Sequence, residues 1–256
     1  VERSRALESL GFLAGGIAHN LNNTLAGVQG HASLALPRAG DQGEVPDRLR
    51  NIIKACERAS GVIRQVLNYS GQMACDAEPV DCNRFVREVG EFVAATVPRH
   101  IRLSIRTVDG LPAAAMDGGL IEQALMSVVK NAIEAIGDRI GEITLLTESL
   151  ELSRADVGAF IGQELSPGRY IAIHVDDNGP GMDPAASARV FEPFFSSKGT
   201  GRGLGLAAVL GIMRAHGGGV RLRSGIGRGT RVSLLLPVAG VAASQPEMEP
   251  VAAGRP

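Results

Sequence analysis

Hydrophobic residues recur at steps of three and four along the first part of the chain. Between residues 5 and 36 this stripe consists of Leu10, Leu13, Ile17, Leu21, Leu25 and Val28. It stops at Pro37, and after a loop that includes Pro46 a second stripe runs to Ser70. Such spacing is typical of amphipathic α-helices. The pattern therefore predicts two long helices, at residues 5–36 and at Asp47–Ser70, that form a helical hairpin.

A hairpin of this kind leaves its apolar stripe uncovered. Two copies would cover each other's stripes in a four-helix bundle, so the sequence predicts a homodimer through this segment. The alternative is a monomer in which the hairpin packs against the rest of its own chain.

The pattern changes from about Val80 onwards, where short apolar runs alternate with helical stretches. The predicted strands are Ile101–Arg106, Ile143–Thr147, Tyr170–Asp176, Gly219–Ser224 and Thr230–Leu236. The predicted helices are Asn83–Ala94, Gly119–Ile136 and Leu204–His216. This order predicts a two-layer α/β sandwich with a mixed sheet. The fold class is therefore α+β, with a helical hairpin over residues 1–76, an α/β domain over residues 77–237 and a flexible tail over residues 238–256.

Composition and charge exclude several classes of function. Hydrophobic residues make up 45% of the 256 residues and charged residues 21%, as in ordinary globular domains. A net charge of -1 and the absence of Trp give neither the basic surface nor the stacking platform of a nucleic-acid-binding protein. No apolar run reaches the roughly 20 residues of a membrane span, and Val1 stands in place of an initiator Met. We therefore expect a cytoplasmic fragment of a longer protein without direct membrane contact. The cysteines lack metal-ligand spacing and are expected to be reduced thiols; they are Cys56, Cys75 and Cys82.

Four short segments in the second half of the chain contain residue types that suit nucleotide phosphates. They are Gln123–Ala135 (QALMSVVKNAIEA), Asp176–Met182 (DDNGPGM), Val190–Lys198 (VFEPFFSSK) and Gly199–Ala207 (GTGRGLGLA). In the last segment Gly201, Gly203 and Gly205 allow the backbone to approach a ligand, and the helix that follows directs free N–H groups at phosphate. Each segment alone also fits an ordinary turn, cap or core element, but their combination favours a nucleotide site.

Individual side chains in these segments have matching chemistry. Asn131 offers an amide oxygen to Mg²⁺, and Lys198 offers a positive charge to a terminal phosphate. Asp177 precedes the turn Gly179–Gly181 and can accept a hydrogen bond from the exocyclic amine of a purine.

These segments resemble the N, first G, F and second G boxes of the ATP-binding domain of histidine kinases, which is similar to that of DNA gyrase, the Hsp90 chaperones and MutL. The resemblance implies that ATP lies under a lid formed by about residues 182–203. It implies that Asn131 binds Mg²⁺, that Asp177 recognises adenine and that Lys198 neutralises phosphate. The further nucleotide contacts that it implies are Gly179, Gly181, Gly201, Gly203, Leu204 and Gly205.

The N-terminal helix is similar to the phosphoacceptor helix of the same family. Leu10–Asn23 (LGFLAGGIAHNLNN) resembles its phosphoacceptor box, in the group that reads H-D-F-N-N, with His19 as the phosphorylated residue. At about 100° per residue, His19 lies about 200° around the helix from Ile17 and from Leu21, so its imidazole points away from the bundle seam. The resemblance also implies that Asn23 orients water for hydrolysis of a regulator's phosphoaspartate. The histidines interpreted as structural or exposed are His31, His100, His174 and His216.

The expected activity is that of an ATP-dependent protein-histidine kinase of a two-component system, which transfers the γ-phosphoryl group to His19 and then to an aspartate of a response-regulator receiver domain. Two residues depart from the family's pattern: Asn20 replaces an acid, and Ser127 replaces an asparagine. Together they predict inefficient autophosphorylation, and Asn20 further predicts a balance shifted toward the phosphatase activity that Asn23 suggests. One alternative is a pseudokinase, a nucleotide-binding docking module that makes no phosphohistidine. The other alternative is an ATPase of the gyrase and MutL type. It lacks support, because those proteins have no helix of the His19 type and carry a glutamate near the position of Ser127.

Overall fold

The computed structural model describes residues 24–40, 43–70, 75–162, 165–193, 195 and 205–240. The predicted phosphoacceptor residues lie outside this part of the chain; they are His19, Asn20 and Asn23. The same is true of four predicted phosphate-binding residues: Lys198, Gly201, Gly203 and Leu204.

The helical hairpin is present in the described part of the chain. Residues 24–35 form helix α1, which continues into a 3₁₀ turn at Leu36–Arg38. Helix α2 spans Glu44–Ser70 and so begins before the predicted start at Asp47. Pro46, which the sequence placed in the loop, lies in the first turn of α2. This turn tolerates proline because its backbone N–H groups have no partner within the helix.

The described residues after the hairpin form eight strands. They are β1 (Glu78–Val80), β2 (Ile101–Arg106), β3 (Ala114–Met116), β4 (Gly141–Leu152), β5 (Ile161–Gly162), β6 (Gly168–Asp177), β7 (Gly219–Ser224) and β8 (Thr230–Pro237). The main sheet has the order β2-β4-β6-β8-β7-β5, and β1 pairs separately with β3. Only β2 and β4 are parallel neighbours in the main sheet. All five predicted strands are confirmed, and β1, β3 and β5 are additional.

Three helices cover one face of the main sheet. The helices after α2 are α3 (Cys82–Ala94), α4 (Gly118–Ile136), α5 (Arg154–Val157), α6 (Pro184–Arg189) and α7 (Gly205–Ala215). α3, α4 and α7 are the covering helices, and their apolar sides form one core with the strands. The carboxylates of Asp81 and Asp117 cap α3 and α4 by accepting hydrogen bonds from first-turn N–H groups, which stabilises each helix start. Of the helices that the structure describes, none is both long and apolar enough to cross a membrane.

Side chains of β6 alternate between the two faces of the sheet, as a strand requires. Ile171, Ile173 and Val175 pack in the core under the helices. Tyr170 and Ala172 face the opposite side and pack in a smaller cluster with Phe160. The alternation therefore also separates the two consecutive acids at the end of β6, since only the second lies on the helical face.

Two buried histidines are held by hydrogen bonds within the fold. His174 is 1% exposed, with Nδ1 2.8 Å from Ser233 Oγ and Nε2 3.0 Å from a Glu148 carboxylate oxygen. His216 accepts a hydrogen bond from the Asp117 N–H (2.9 Å) and donates one to the Ile212 carbonyl (2.7 Å). His216 thus fastens the end of α7 to the start of α4. Both contacts agree with the interpretation of these histidines as structural.

The hairpin and the two residues that follow β8 both contact the α/β domain. Helix α2 lies against α7. At the other end, Val238 is buried and pairs with Ala114, and the Ala239 N–H donates to the Ala113 carbonyl at 2.8 Å. Val238, where the sequence placed the start of a flexible tail, is therefore still part of the folded domain.

Candidate nucleotide-binding site

A cavity of about 230 Å³ lies between α4, α7 and the helical face of the sheet. It brings together residues from both ends of the second half of the chain. Among the predicted residues, Asn131, Asp177, Gly181 and Gly205 line it. Its apolar walls include Val128, Met182, Val190, Phe195, Leu206, Leu222 and Val232. A mainly apolar wall with a few convergent polar groups is what a planar heterocycle with a polar tail requires.

Asp177 forms the polar group at one end of the cavity. It is the last residue of β6 and pairs with Thr230, the first residue of β8. Its Oδ1 accepts a hydrogen bond from the Gly179 N–H at 2.8 Å. Burial raises the pKa of the Asp177 carboxyl above its ordinary value, while the backbone N–H groups of Gly179 and Thr230 oppose that shift. A fixed, partly desolvated acceptor of this kind suits the exocyclic amine of adenine.

The turn after Asp177 is held by backbone contacts that only glycine allows. Gly181 has φ 68°, and a Cβ at this position would lie 1.9 Å from the carbonyl oxygen of Gly225. At Gly179 a Cβ would come within 2.7 Å of Asp177 Oδ1. The Asn178 side chain accepts from the Glu142 N–H at 2.8 Å and so fastens the turn to β4. The sequence-predicted turn therefore lies where it can hold the Asp177 carboxylate in place.

The opposite end of the cavity is formed by α4 and the start of α7. A Cβ on Gly205 would lie 2.8 Å from Ser127 Oγ and 3.6 Å from Asn131 Nδ2. The structure thus brings together Asn131 and Gly205, which the sequence had assigned to separate boxes. The first N–H groups of an α-helix have no partner within the helix, and such groups suit phosphate oxygens.

Mg²⁺ fits the donor set at this end only together with phosphate ligands. No group of three or more His, Cys, Asp or Glu side chains within the described residues could hold a metal ion. Mg²⁺ in nucleotide sites is commonly held by one or two protein oxygens plus phosphate oxygens and water. The Asn131 carboxamide oxygen is a donor of the required type.

Part of the predicted lid contains a short helix. α6 lies within residues 182–203 and is capped by Asp183, whose carboxylate accepts a hydrogen bond from the Ala186 N–H at 2.7 Å. The guanidinium of Arg189, the last residue of α6, lies 4.6 Å from the ring centre of Phe195, which is one of the cavity residues. Residues 194 and 196–203 lie outside the described part of the chain.

Two residues at the Asp177 end were missed by the sequence reasoning. Thr230 lines the cavity, and Ser224 forms hydrogen bonds to the turn after Asp177. Both lie at the ends of the predicted β7–β8 hairpin, in the segment Ser224–Thr230 (SGIGRGT). Its three alternating glycines repeat the pattern of the predicted phosphate segment and were the available signal.

A larger concavity of about 550 Å³ lies on the outer side of α4 and α7. It is lined by Met126, Lys130 and Ile133, among others, and by none of the residues predicted to bind nucleotide. The smaller cavity is the better candidate because it contains the buried acceptor, the glycine contacts and the asparagine.

Comparison with known proteins agrees with this assignment. Residues 116–240 match the family described as histidine kinase-, DNA gyrase B-, and HSP90-like ATPase. The sensor kinase CckA of Brucella abortus (strain 2308) is 33% identical over 239 residues, covering 92% of this chain and 25% of that protein. The sensory histidine kinase/phosphatase NtrB of Rhizobium meliloti (strain 1021) is 32% identical over 242 residues, covering 94% of this chain and 62% of that protein.

The fold has a counterpart among solved structures. The crystal structure of full-length ShkA in complex with AMPPNP superposes with a TM-score of 0.68 at 23% identity, covering 88% of this chain and 45% of that one. The chain spans only part of the length of each of these proteins. Within that span, the matched domain, the relatives and the fold lead to one conclusion. The chain carries the ATP-binding catalytic core of a sensor histidine kinase.

Proposed function

We propose that the protein is an ATP-dependent histidine kinase of a two-component system, which phosphorylates His19 and passes the phosphoryl group to an aspartate of a response regulator. The observation that carries the proposal is the cavity that joins the Asp177 carboxylate at one end to Asn131 and Gly205 at the other. In this proposal Asp177 is the acceptor for the base and the start of α7 faces the phosphates, so the two roles belong to opposite ends of one cavity.

The proposed binding mode follows from the polarity of the cavity. The exocyclic amine of adenine donates to the Asp177 carboxylate, and the ring lies between apolar walls that include Met182 and Val232. The phosphates extend toward Asn131 and the first turn of α7. Lys198, Gly201, Gly203 and Leu204 complete the phosphate contacts in this proposal, as the family resemblance implies.

Phosphoryl transfer depends on in-line positioning and on neutralisation of charge more than on covalent help from the protein. Mg²⁺, held by Asn131 and the phosphates, would supply positive charge at the transferred group. Lys198 would add a second positive charge. His19 attacks as the neutral imidazole, which at a reference pKa of about 6.5 is well populated at pH 7. Asn20 would accept a hydrogen bond from the other ring nitrogen, but it is a very poor base.

The proposed assembly is a homodimer through the helical hairpin, with a receiver domain as the second partner. The contact between α2 and α7 supports a route by which the hairpin and the nucleotide domain approach each other. By resemblance, Asn23 orients water for hydrolysis of the phosphoaspartate on the receiver domain. The name of the Rhizobium meliloti relative combines kinase and phosphatase, which is consistent with this second activity.

A second candidate function is that of a pseudokinase that binds nucleotide and docks to another kinase or regulator. The departures at Asn20 and Ser127 are the observations that favour it. The two functions differ in one product, because only the first yields phosphohistidine.

Incubation with γ-labelled ATP and Mg²⁺, followed by tests of acid and alkali lability, distinguishes them. The expected result is an acid-labile label that His19→Gln abolishes while the affinity for ATP stays within about twofold, because His19 does not bind the nucleotide. His31→Gln is the matched control, since His31 lies exposed in α1 and follows His19 by twelve residues in the sequence. The His31→Gln variant should keep the label. Nucleotide binding without any label would instead favour the pseudokinase.

A further inference from the structure

One hydroxyl group connects three segments at the Asp177 end of the cavity. Ser224 is the last residue of β7. Its Oγ lies 2.9 Å from the Met182 N–H nitrogen, 3.1 Å from the Gly229 carbonyl oxygen and 2.9 Å from Thr230 Oγ1. These neighbours belong to the turn after β6, the turn before β8 and β8 itself.

The three contacts match the bonding capacity of a serine hydroxyl, which has one donor and two acceptor sites. Ser224 donates to the Gly229 carbonyl, and it accepts from the Met182 N–H and from the Thr230 hydroxyl. Alanine at this position would leave these three groups without the partner that they share. Threonine would keep all three bonds, because it carries the same hydroxyl.

The two turns that Ser224 joins are packed backbone against backbone. The Gly227 N–H donates to the Pro180 carbonyl at 2.7 Å. A Cβ on Gly181 would lie 1.9 Å from the Gly225 carbonyl oxygen, and a Cβ on Gly229 would lie 1.9 Å from the Asp177 carbonyl oxygen. Within this backbone contact, Ser224 is a side chain whose removal perturbs both turns without creating a steric clash.

Ser224 does not itself line the cavity, whereas Met182, Thr230 and Asp177 do. Met182 and Thr230 are direct hydrogen-bond partners of Ser224. The Asp177 carboxylate accepts a backbone hydrogen bond from Thr230. We infer that Ser224 is a positioning residue for adenine recognition, which holds the wall of the base pocket and the Asp177 carboxylate in register. The inference rests on the proposed function, since it requires that adenine binds at Asp177.

Calorimetric titrations of the full chain with three probes test this role. ATP reports on the whole site, adenosine on the base end alone and inorganic tripolyphosphate on the phosphate end alone. Ser224→Ala should weaken ATP and adenosine binding by about tenfold each, the order expected when hydrogen bonds that hold a recognition group are lost. Tripolyphosphate binding should change by less than about twofold, and Ser224→Thr should restore the affinities for ATP and adenosine.

Ser233→Ala is the matched control. Its hydroxyl is also buried and hydrogen-bonded, to His174 on the opposite face of the sheet, so its loss should lower the melting temperature without changing any of the three affinities. If Ser224→Ala does not fold, Ser224→Cys replaces it. The thiol keeps the size of the side chain but forms weak hydrogen bonds, so adenosine binding should again fall.

Two outcomes would overturn the inference. One is wild-type adenosine affinity in folded Ser224→Ala, or in folded Ser224→Cys where alanine does not fold. The other is an equal loss of adenosine and tripolyphosphate binding, which would indicate a general structural role. A wild-type protein that binds neither ATP nor adenosine would instead contradict the proposed function, so the two failures are distinguishable.

Discussion

Replacement of Asp177 by alanine tests the base-recognition role directly. The carboxylate is fixed by the Gly179 N–H at 2.8 Å, and its pKa is already raised by burial in the free protein. Part of the cost of desolvating the carboxylate is therefore present before the ligand arrives. Hydrogen bonds to charged groups contribute about 1.5–3 kcal/mol, which corresponds to a loss of roughly ten- to hundredfold in ATP affinity for Asp177→Ala.

The comparison with GTP and with a neighbouring acid makes the test specific. Guanine presents a carbonyl where adenine presents its amine, so Asp177→Ala should change GTP affinity by less than about threefold. Asp176→Ala is the control, because Asp176 lies on the opposite face of the sheet and pairs with both nitrogens of the Arg231 fork. Calorimetry with ATP and GTP at saturating Mg²⁺ measures both ratios. Equal losses for the two nucleotides, or a changed preference in Asp176→Ala, would refute adenine recognition by Asp177.

Three further variants extend the predictions. Asn20→Asp should raise the rate of autophosphorylation by about tenfold or more, since general-base help is worth about 10²–10⁴-fold; rapid-quench rates at saturating Mg-ATP measure it, and equal rates would mean that residue 20 does not limit the chemistry. Gly181→Ala should reduce ATP affinity, measured by calorimetry, by more than about tenfold, because the new Cβ would meet the Gly225 carbonyl and residue 181 has a positive φ. Gly227→Ala should show no such loss, since residue 227 also has a positive φ but has open space around it. In urea unfolding, His174→Gln should lose less free energy of unfolding than the wild type between pH 7.5 and pH 5.5. Burial lowers the pKa of His174 in the folded protein. The stabilisation that comes from this shift is therefore present above the ordinary histidine pKa of about 6.5 and is lost as the pH falls below that pKa. An unchanged pH dependence would assign the acid sensitivity to other groups.

The regular elements could be predicted from the sequence because their patterns are local. Ile171, Ile173 and Val175 alternate with residues on the opposite face, and that period of two identifies β6. β1, β3 and β5 could not be predicted in this way, because two or three residues are too few for a period. They form strands only because tertiary pairing supplies a partner, as in the register of Val80 opposite Ala114.

The sequence indicates only some of the residues that meet at the candidate site, and the reason is physical. Asp177, Gly179 and Gly181 are adjacent in sequence and make their turn locally, so their motif was readable. Thr230 reaches the same place through the pairing of β8 with β6, and Ser224 reaches it through the pairing of β7 with β8. Their contribution depends on strand order, which the spacing of residues does not specify.

The contact between Gly205 and Ser127 changes the interpretation of one departure from the family's pattern. A Cβ on Gly205 would lie only 2.8 Å from Ser127 Oγ, so the start of α7 approaches α4 closely at the position where the family usually has asparagine. Asn131, one turn further along α4, lines the cavity. The replacement at Ser127 therefore leaves the asparagine of the phosphate end in place. The slow autophosphorylation expected from the two departures consequently depends on Asn20, where a charged base has been replaced by a neutral amide.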